Sequence, residues 1–259
     1  MTRFFRIEYE GGPRYAIAQD QGWRLLEGDL FGEHEAGDAI PSTGYRVLAP
    51  VAPSKIVAVG LNYKDHAAEQ NKPLPPEPLI FIKPSTSVIG PGDAIVIPEG
   101  IGRVDHEAEV GVVISARASH VTEAEAHEYI LGLTCVNDVS ARELQRKDIQ
   151  YTRAKGFDTF APIGPCIATD LDYDGATGIA VEGWVNGTRR QSSSTRELIF
   201  PIRKLVAFIT SVMTLLPGDI ISTGTPAGIG PLADGDQVMI KVEGVGEITN
   251  SVKVRRAAL

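Results

Sequence analysis

Carboxylates are the residues with the clearest chemical meaning. In His106-Glu107-Ala108-Glu109-Val110-Gly111-Val112-Val113-Ile114, two glutamates stand two positions apart at the head of an apolar run. Side chains alternate across a strand, so Glu107 and Glu109 share one face while His106, Ala108, Val110 and Val112 take the other. Gly111 is next on the acidic face and is expected to leave space there. On a solvated face the pair needs no explanation; on an enclosed one, mutual repulsion raises one pKa unless a cation sits between them. The apolar run favours enclosure. A third carboxylate, Asp138, lies where a strand at 132–136 gives way to a helix. Aspartate is a common helix N-cap, but Ser140 and Glu143 have capping-box spacing for that helix, which frees Asp138 for a tertiary role. Three carboxylates with no soft ligand describe a hard-cation site, Mg²⁺ before Mn²⁺ or Ca²⁺, with positions left for water and a chelating substrate. A 1,3-dicarbonyl compound or a 2-oxo acid fills two such positions.

Other candidates have plainer alternatives beside them. His66 and Glu69 are i, i+3 neighbours on a short helix starting near Asn62. They read as an exposed polar face, or as a dyad in which the carboxylate fixes the imidazole tautomer and makes the other ring nitrogen basic enough to deprotonate water. The loop Gln70-Asn-Lys-Pro-Leu-Pro-Pro-Glu-Pro78 is a surface connector or the hinge of a lid. Lys155, ahead of a helix-stopping Gly156, complements a helix dipole or stabilises charge developing on a substrate enolate. Arg142 and Gln145 are solvated helix polarity on base rates. Thr223-Gly-Thr-Pro-Ala-Gly-Ile-Gly230 is a turn whose glycines leave backbone amides free for an anion. It lacks the Gly-Lys-Ser/Thr of a P-loop and no helical pattern follows it, which argues against nucleotides.

The elements that must position these groups are mostly strands. Short strands at 4–9, 14–19 and 22–26, separated by Gly-Gly-Pro and Asp-Gln-Gly turns, form a small β unit over residues 1–52, and Pro50 to Pro53 mark its boundary with residues 53–259. Further strands are expected at 56–60, 79–82, 94–97, 107–114, 132–136, 163–168, 178–185, 219–222 and 237–242, with Asn186-Gly187 as a hairpin turn. Capping boxes at Thr122/Glu125 and Ser140/Glu143 predict two helices, and a third is expected from Ser194 or Thr195 to about Thr214. The class is α+β and β-rich, not alternating βαβ.

Composition narrows the partners. With 259 residues, 43% of them hydrophobic, the chain supports one sizeable core and a small accessory domain. A net charge of −8 repels nucleic acid and anionic membranes on average. No apolar stretch reaches membrane-spanning length, the N-terminus is charged too early for a secretory signal, and a cytoplasmic location is expected. Cys135 and Cys166 sit in apolar settings suited to packing, and the five scattered histidines offer no zinc cluster.

Six segments occur in an order that resembles the fumarylacetoacetate hydrolase family: Gly60-Leu-Asn-Tyr-Lys-Asp-His66-Ala-Ala-Glu69, Phe81-Ile-Lys83-Pro84-Ser85, Asp105-His-Glu107-Ala-Glu109, Asn137-Asp138-Val-Ser-Ala-Arg142-Glu-Leu-Gln145, Lys155-Gly-Phe-Asp158-Thr-Phe and Thr223-Gly-Thr225-Pro226. The resemblance spans about residues 52 to 254 and leaves the first fifty residues out. It implies a mixed β-sandwich roll with a small N-terminal β domain, a homodimer, and Mg²⁺ or Mn²⁺ held by Glu107, Glu109 and Asp138. It implies catalysis by a lid-borne His66–Glu69 pair and Lys155, with Arg142, Gln145, Gly224 and Thr225 contacting substrate and Arg142 acting as a fork for a carboxylate. The fourth aspartate ligand of the fumarylacetoacetase branch has no counterpart, since Asp65 is out of register. The chain is therefore similar to the acylpyruvase, oxaloacetate decarboxylase and tautomerase, and hydroxyheptadienedioate isomerase branch. The leading expectation is metal-dependent hydrolysis of a C–C bond in an acylpyruvate-like 2,4-dioxo acid. Oxaloacetate decarboxylation or tautomerisation and dioate isomerisation are the alternatives, and a non-catalytic small-acid binding protein is the remote one.

Overall fold

The structure is a computed structural model, and it describes residues 1–19 and 22–255. The turn expected at Asp20-Gln21 lies outside the described residues. The chain opens with a four-strand meander, β1 (Arg3–Tyr9), β2 (Gly12–Gln19), β3 (Gly22–Gly28) and β4 (His34–Ile40). Then come β5 (Lys55–Gly60), α1 (Lys64–Glu69), β6 (Leu79–Pro84), β7 (Val88–Ile89), β8 (Ala94–Pro98), β9 (Val104–His106), β10 (Ala108–Ile114) and β11 (Ile130–Asn137). A short β12 (Ser140–Ala141) leads into α2 (Arg142–Asp148) and α3 (Thr152–Lys155). The remainder is β13 (Ala161–Ala168), β14 (Ala180–Val185), β15 (Thr188–Ser194), α4 (Ile202–Val212), β16 (Ile220–Ser222), β17 (Gly230–Pro231), β18 (Gln237–Val242) and β19 (Gly246–Arg255). This is the β-rich mixed architecture that the sequence implies.

The main sheet runs β4-β3-β2-β1-β13-β11-β10-β16-β5-β6, with β7 paired to β13. The first four strands therefore extend the large sheet: β1 pairs antiparallel with β13, Phe4 opposite Ile167. A second sheet, β15-β14-β18-β19-β8, packs across β10, β11 and β13, and a small one is formed by β12-β9-β17. Between the two larger sheets lies the main core, including Val110, Val112, Leu133, Cys135, Val181, Ile240 and Ile248. All seven residues of β10 are buried, the continuous burial expected of a strand covered on both faces. β10 is hydrogen-bonded on one side to β11 and on the other to β16, so the acidic strand sits mid-sheet.

Local chemistry explains where the helices depart from expectation. The segment expected to be one helix to about Thr214 is split: a 3₁₀ turn covers Thr195–Glu197, Pro201 follows, and α4 starts at Ile202. Proline disfavours helical geometry in the residue before it and supplies no amide to continue the ladder. In α4, buried Ile202, Leu205, Val206 and Ile209 give the i, i+3, i+4, i+7 stripe of a helix packed on one side. The Thr122/Glu125 capping box forms, with the Thr122 amide donating to Glu125 Oε2 at 3.1 Å, but it heads only a 3₁₀ turn, Ala126–Tyr129. The box expected at Ser140 does not form: Ser140 pairs with Asp105 in a sheet, its hydroxyl donates to Asp138 O, and the helix starts two residues later. Asn186-Gly187 closes the β14–β15 hairpin, with φ of 50° and 74° at the two positions, the left-handed pair that an Asn-Gly turn supplies.

Candidate active site

Glu109 is on β10, Glu107 in the single-residue break between β9 and β10, and Asp138 just past β11. Pairing of Ala108 with Asn137 brings the ends of the two strands together. Asn137 Oδ1 accepts from the Glu107 amide at 3.0 Å, and the Asp138 amide donates to Glu107 O at 3.0 Å, so the backbone itself fixes their approach. One carboxylate oxygen from each of Glu107, Glu109 and Asp138 lies within 4.8 Å of the others, and all three residues are buried. Gly111 does not make the room for this. A Cβ there would come within 2.5 Å of Val136 Cγ2 and 2.9 Å of Thr134 Cγ2, so the glycine admits the neighbouring strand, not a ligand.

The three carboxylates are not equivalent. Lys155 Nζ donates to Glu107 Oε2 at 2.7 Å and to Asp138 Oδ2 at 2.5 Å, while Lys83 Nζ donates to Asp138 Oδ1 at 2.5 Å. Arg142 Nη2 donates to Glu107 Oε1 at 2.5 Å. Burial opposes ionisation of Glu107, yet Lys155 and Arg142 outweigh it and hold the carboxyl well below its usual range. Burial also opposes the charge on Lys155, but Asp138 and Glu107 overcome that and raise it. For Lys83 the balance goes the other way: complete burial wins over Asp138 and lowers it. Glu109 has only neutral donors, the Ser222 hydroxyl at 2.5 Å and the Gly224 amide at 2.9 Å. Burial, with Asp138 and Glu107 adding repulsion, pushes it up to about 8. A buried carboxylate short of positive charge, facing two others, fits a divalent cation: both donors to Glu109 meet Oε2, which leaves Oε1 for an ion, and each oxygen of Glu107 and Asp138 takes one donor and keeps a second lone pair. Asp65 is elsewhere, bonded to its neighbour's amide and to Ser193 Oγ.

A cavity of about 310 Å³ opens on these groups and is lined by Glu107, Glu109, Arg142, Gln145, Lys155, Thr225 and, from α1, His66. His66 Nδ1 donates to Glu69 Oε2 at 2.9 Å, which leaves Nε2 as the acceptor; it takes the Gln70 Nε2 amide at 2.7 Å. Glu69 Oε1 in turn accepts from the Gly228 amide at 3.0 Å, tying the helix to the glycine-rich loop. The structure thus gathers His66, Lys155, Arg142, Gln145, Thr225 and the three carboxylates around one space, with Glu69 behind His66.

Several expected contacts are already engaged within the protein. The fork of Arg142 serves the protein's own acids: Nε donates to Asp105 Oδ2 at 2.8 Å, Nη2 to Glu107, and Nη1 to Gln145 Oε1 at 2.9 Å. The amides of Gly224 and Gly228, expected to be free for an anion, hold Glu109 and Glu69. Thr225 Oγ1 donates to Ala108 O at 2.9 Å and accepts from Gln191 Nε2 at 2.8 Å. The supporting residues were the less visible part. Lys83 is part of the family-like Phe81-Ile-Lys83-Pro84 segment but is given no chemistry by the sequence, and it proves to hold Asp138; Gln191, which joins β10 to the Thr225 loop, carries no local signal at all.

A β-rich roll carrying a buried acidic triad and a histidine-bearing helix over one cavity is the arrangement of the fumarylacetoacetate hydrolase family, and the chain belongs to it. Residues 55–253 match the family model described as fumarylacetoacetate (FAA) hydrolase C-terminal, and residues 2–50 match one described as Rv2993c-like, N-terminal. An uncharacterised protein of Archaeoglobus fulgidus is 52% identical over 238 residues, 90% of this chain and 94% of that one. The solved structure of a 2-hydroxyhepta-2,4-diene-1,7-dioate isomerase from Mycobacterium marinum is 40% identical, with a TM-score of 0.90 over 98% of this chain and 99% of that one. That of a fumarylacetoacetate hydrolase from Exiguobacterium antarcticum is 31% identical, with a TM-score of 0.86 over 98% of this chain and 100% of the other. Among the described residues, no helix is long and apolar enough to cross a membrane.

Proposed function

We propose that the chain is a divalent-metal-dependent enzyme that cleaves a C–C bond in an acylpyruvate-like 2,4-dioxo acid by hydrolysis. The observation that carries this reading is the opening of one cavity onto both the acidic triad and the His66–Glu69 pair. Glu107, Glu109 and Asp138 would hold the ion, Mg²⁺ or Mn²⁺, whose contribution when bound is to polarise the 2-oxo acid as a Lewis acid. Glu69 keeps the His66 proton on Nδ1, so Nε2 is the atom that takes a proton from water once Gln70 has given it up. Lys155, charged and fixed beside Glu107 and Asp138, stabilises negative charge on the pyruvyl fragment as it departs. The products are pyruvate and a carboxylic acid.

A second reading, isomerisation or decarboxylation at the same site, has a specific observation behind it. His66 Nε2 is covered by Gln70, and chemistry without an attacking water does not need that nitrogen exposed. The activity named for the Mycobacterium marinum protein points the same way. Product analysis on a panel of 2,4-dioxo acids and oxaloacetate, with Mg²⁺ and with EDTA, separates the readings. Release of an acid fragment, lost in His66→Ala, supports hydrolysis; CO₂ or an isomer without a fragment overturns it; no metal-dependent turnover on any compound favours a binding protein. We expect a cytoplasmic homodimer, with the partially exposed Leu79 and Ile82 of edge strand β6 available for burial, which light scattering on the purified chain would check. Residues 1–52 and 53–259 are proposed as accessory and catalytic units.

A further inference from the structure

We infer that Gln191, which lines no part of the cavity, is a positioning residue for it: through Ala108 and Thr225 its side-chain amide holds Glu107 and Glu109 at the spacing an ion needs, and ties them to the turn that steadies Glu69. The inference rests on the reading above only in taking Glu107, Glu109 and Asp138 as the ligands of a divalent cation.

The sheet ladders leave a gap at the acids. Glu107 stands in the break between β9, which pairs with β12 and β17, and β10, which pairs with β11 and β16. Two side-chain amides fill that break. Asn137 Oδ1 takes the Glu107 amide, and Gln191 Oε1 takes the Ala108 amide at 2.9 Å and the proton of His106 Nδ1 at 3.1 Å. His106 and Ala108 flank Glu107 and belong to the face opposite the acids, so Gln191 grips the acidic strand from behind on both sides of the glutamate.

The other end of the same amide closes a ring. Gln191 Nε2 donates to Thr225 Oγ1 and to Pro226 O, each at 2.8 Å, and Thr225 Oγ1 donates to Ala108 O at 2.9 Å. Both backbone polar groups of Ala108, the residue between the two glutamates, are thus bonded into one circuit with Gln191 and Thr225. Three residues further along, the turn reaches Gly228, whose amide holds Glu69 Oε1. A Cβ at Gly228 would collide with Arg190 O, so the strand that carries Gln191 also backs this turn. Gly183, paired with Gln191 across the β14–β15 hairpin, gives the amide its passage: a Cβ there would stand 2.8 Å from Gln191 Oε1 and 3.2 Å from Ala108 Cβ. Gln191 is 1% exposed, and both lone pairs of its Oε1 and both protons of its Nε2 are used. A buried amide so fully engaged specifies one geometry, where an apolar residue of the same size would only fill the space.

The test measures Mn²⁺ dissociation constants of the full chain by calorimetry, beside thermal melts in EDTA. Gln191→Met keeps the length and removes the amide, and it is expected to weaken Mn²⁺ binding by about 10–100-fold, the loss typical of an outer partner of a metal ligand. Asn250→Leu removes an equally buried amide, one that bonds Gly90 O and Asp93 O away from the cavity; it should lower the melt yet keep Mn²⁺ affinity within about threefold of wild type. The ring is also read from its other corner, which decides the matter should Gln191→Met not fold. Thr225→Val should weaken Mn²⁺ by about tenfold, and Thr225→Ser, which keeps the hydroxyl, should remain within about threefold of wild type. Wild-type affinity in Gln191→Met, an equal loss in Asn250→Leu, or no difference between the two Thr225 variants overturns the inference and leaves the ion site standing. Failure of the wild type to bind Mn²⁺ overturns both.

Discussion

Two halves of the same cavity are held by different forces. On the strand side, Glu107 and Asp138 are gripped by Lys155 and Arg142, full charges in a buried setting, with Lys83 as a further donor to Asp138. On the α1 side, His66 is held by Glu69, itself 40% exposed, and by the neutral amide of Gln70. Charge-assisted bonds in a low dielectric fix the first half, and breaking one leaves an uncompensated buried ion. The second half exchanges its bonds for water at little cost. The difference separates the groups that would hold an ion, fixed by buried charge, from the group that would handle water, held by bonds that cost less to break.

Substitutions can break that contrast. Asp138→Ala leaves Lys83 and Lys155 buried without their shared partner, so a loss of about 3–5 kcal/mol in unfolding free energy is expected by denaturant titration, with loss of high-affinity Mn²⁺ binding. If the chain is as stable as wild type, the charge grip has been overstated. His66→Ala should do the opposite: stability changes by no more than about 1 kcal/mol, while hydrolytic turnover falls by about 10²–10⁴-fold in steady-state assays.

The odd carboxylate of the strand half gives a pH test. Glu109 is raised from 4.5 to about 8, so between those values the folded, metal-free protein binds a proton that the unfolded chain has released. Its contribution to stability is complete below pH 4.5 and is lost as pH rises toward 8. In EDTA the melting temperature should therefore decline across this window; Mg²⁺ should flatten the decline, and Glu109→Gln should remove Glu109's share of it. The smallest effect belongs to Glu69→Gln. It keeps the shape of the α1 hydrogen bonds, so a stability change below about 1 kcal/mol is expected, with turnover reduced by roughly tenfold as the imidazole loses its anionic partner.

Much of this was legible in the sequence because it follows from local rules. Period-two alternation placed Glu107 and Glu109 together, and the Asn186-Gly187 pair marked its hairpin. Asp138 was assigned a tertiary role for a reason that fails, since Ser140 caps nothing; its real employment is between Lys83 and Lys155. What local rules cannot see is where long side chains end. Arg142 and the Gly224 amide have the right types to meet a substrate, yet carboxylates brought in by other strands take their hydrogen bonds. Nothing near Gln191 hints that it spans from Ala108 to Thr225, because that need arises only when the second sheet is laid over β10.

The pairing of β1 with β13 bears on solubility. Every residue of β13 but Pro165 is buried, and its Ile167-Ala168 end would be an unpaired apolar edge if β1 were missing. The opening meander covers that end and moves the rim of the sheet out to β4, whose exposed residues include His34, Glu35 and Asp38. An edge of that composition repels stray strands from other molecules. The first forty residues thus cover an apolar edge, and a chain trimmed to residues 53–259 is expected to precipitate at concentrations the full chain tolerates.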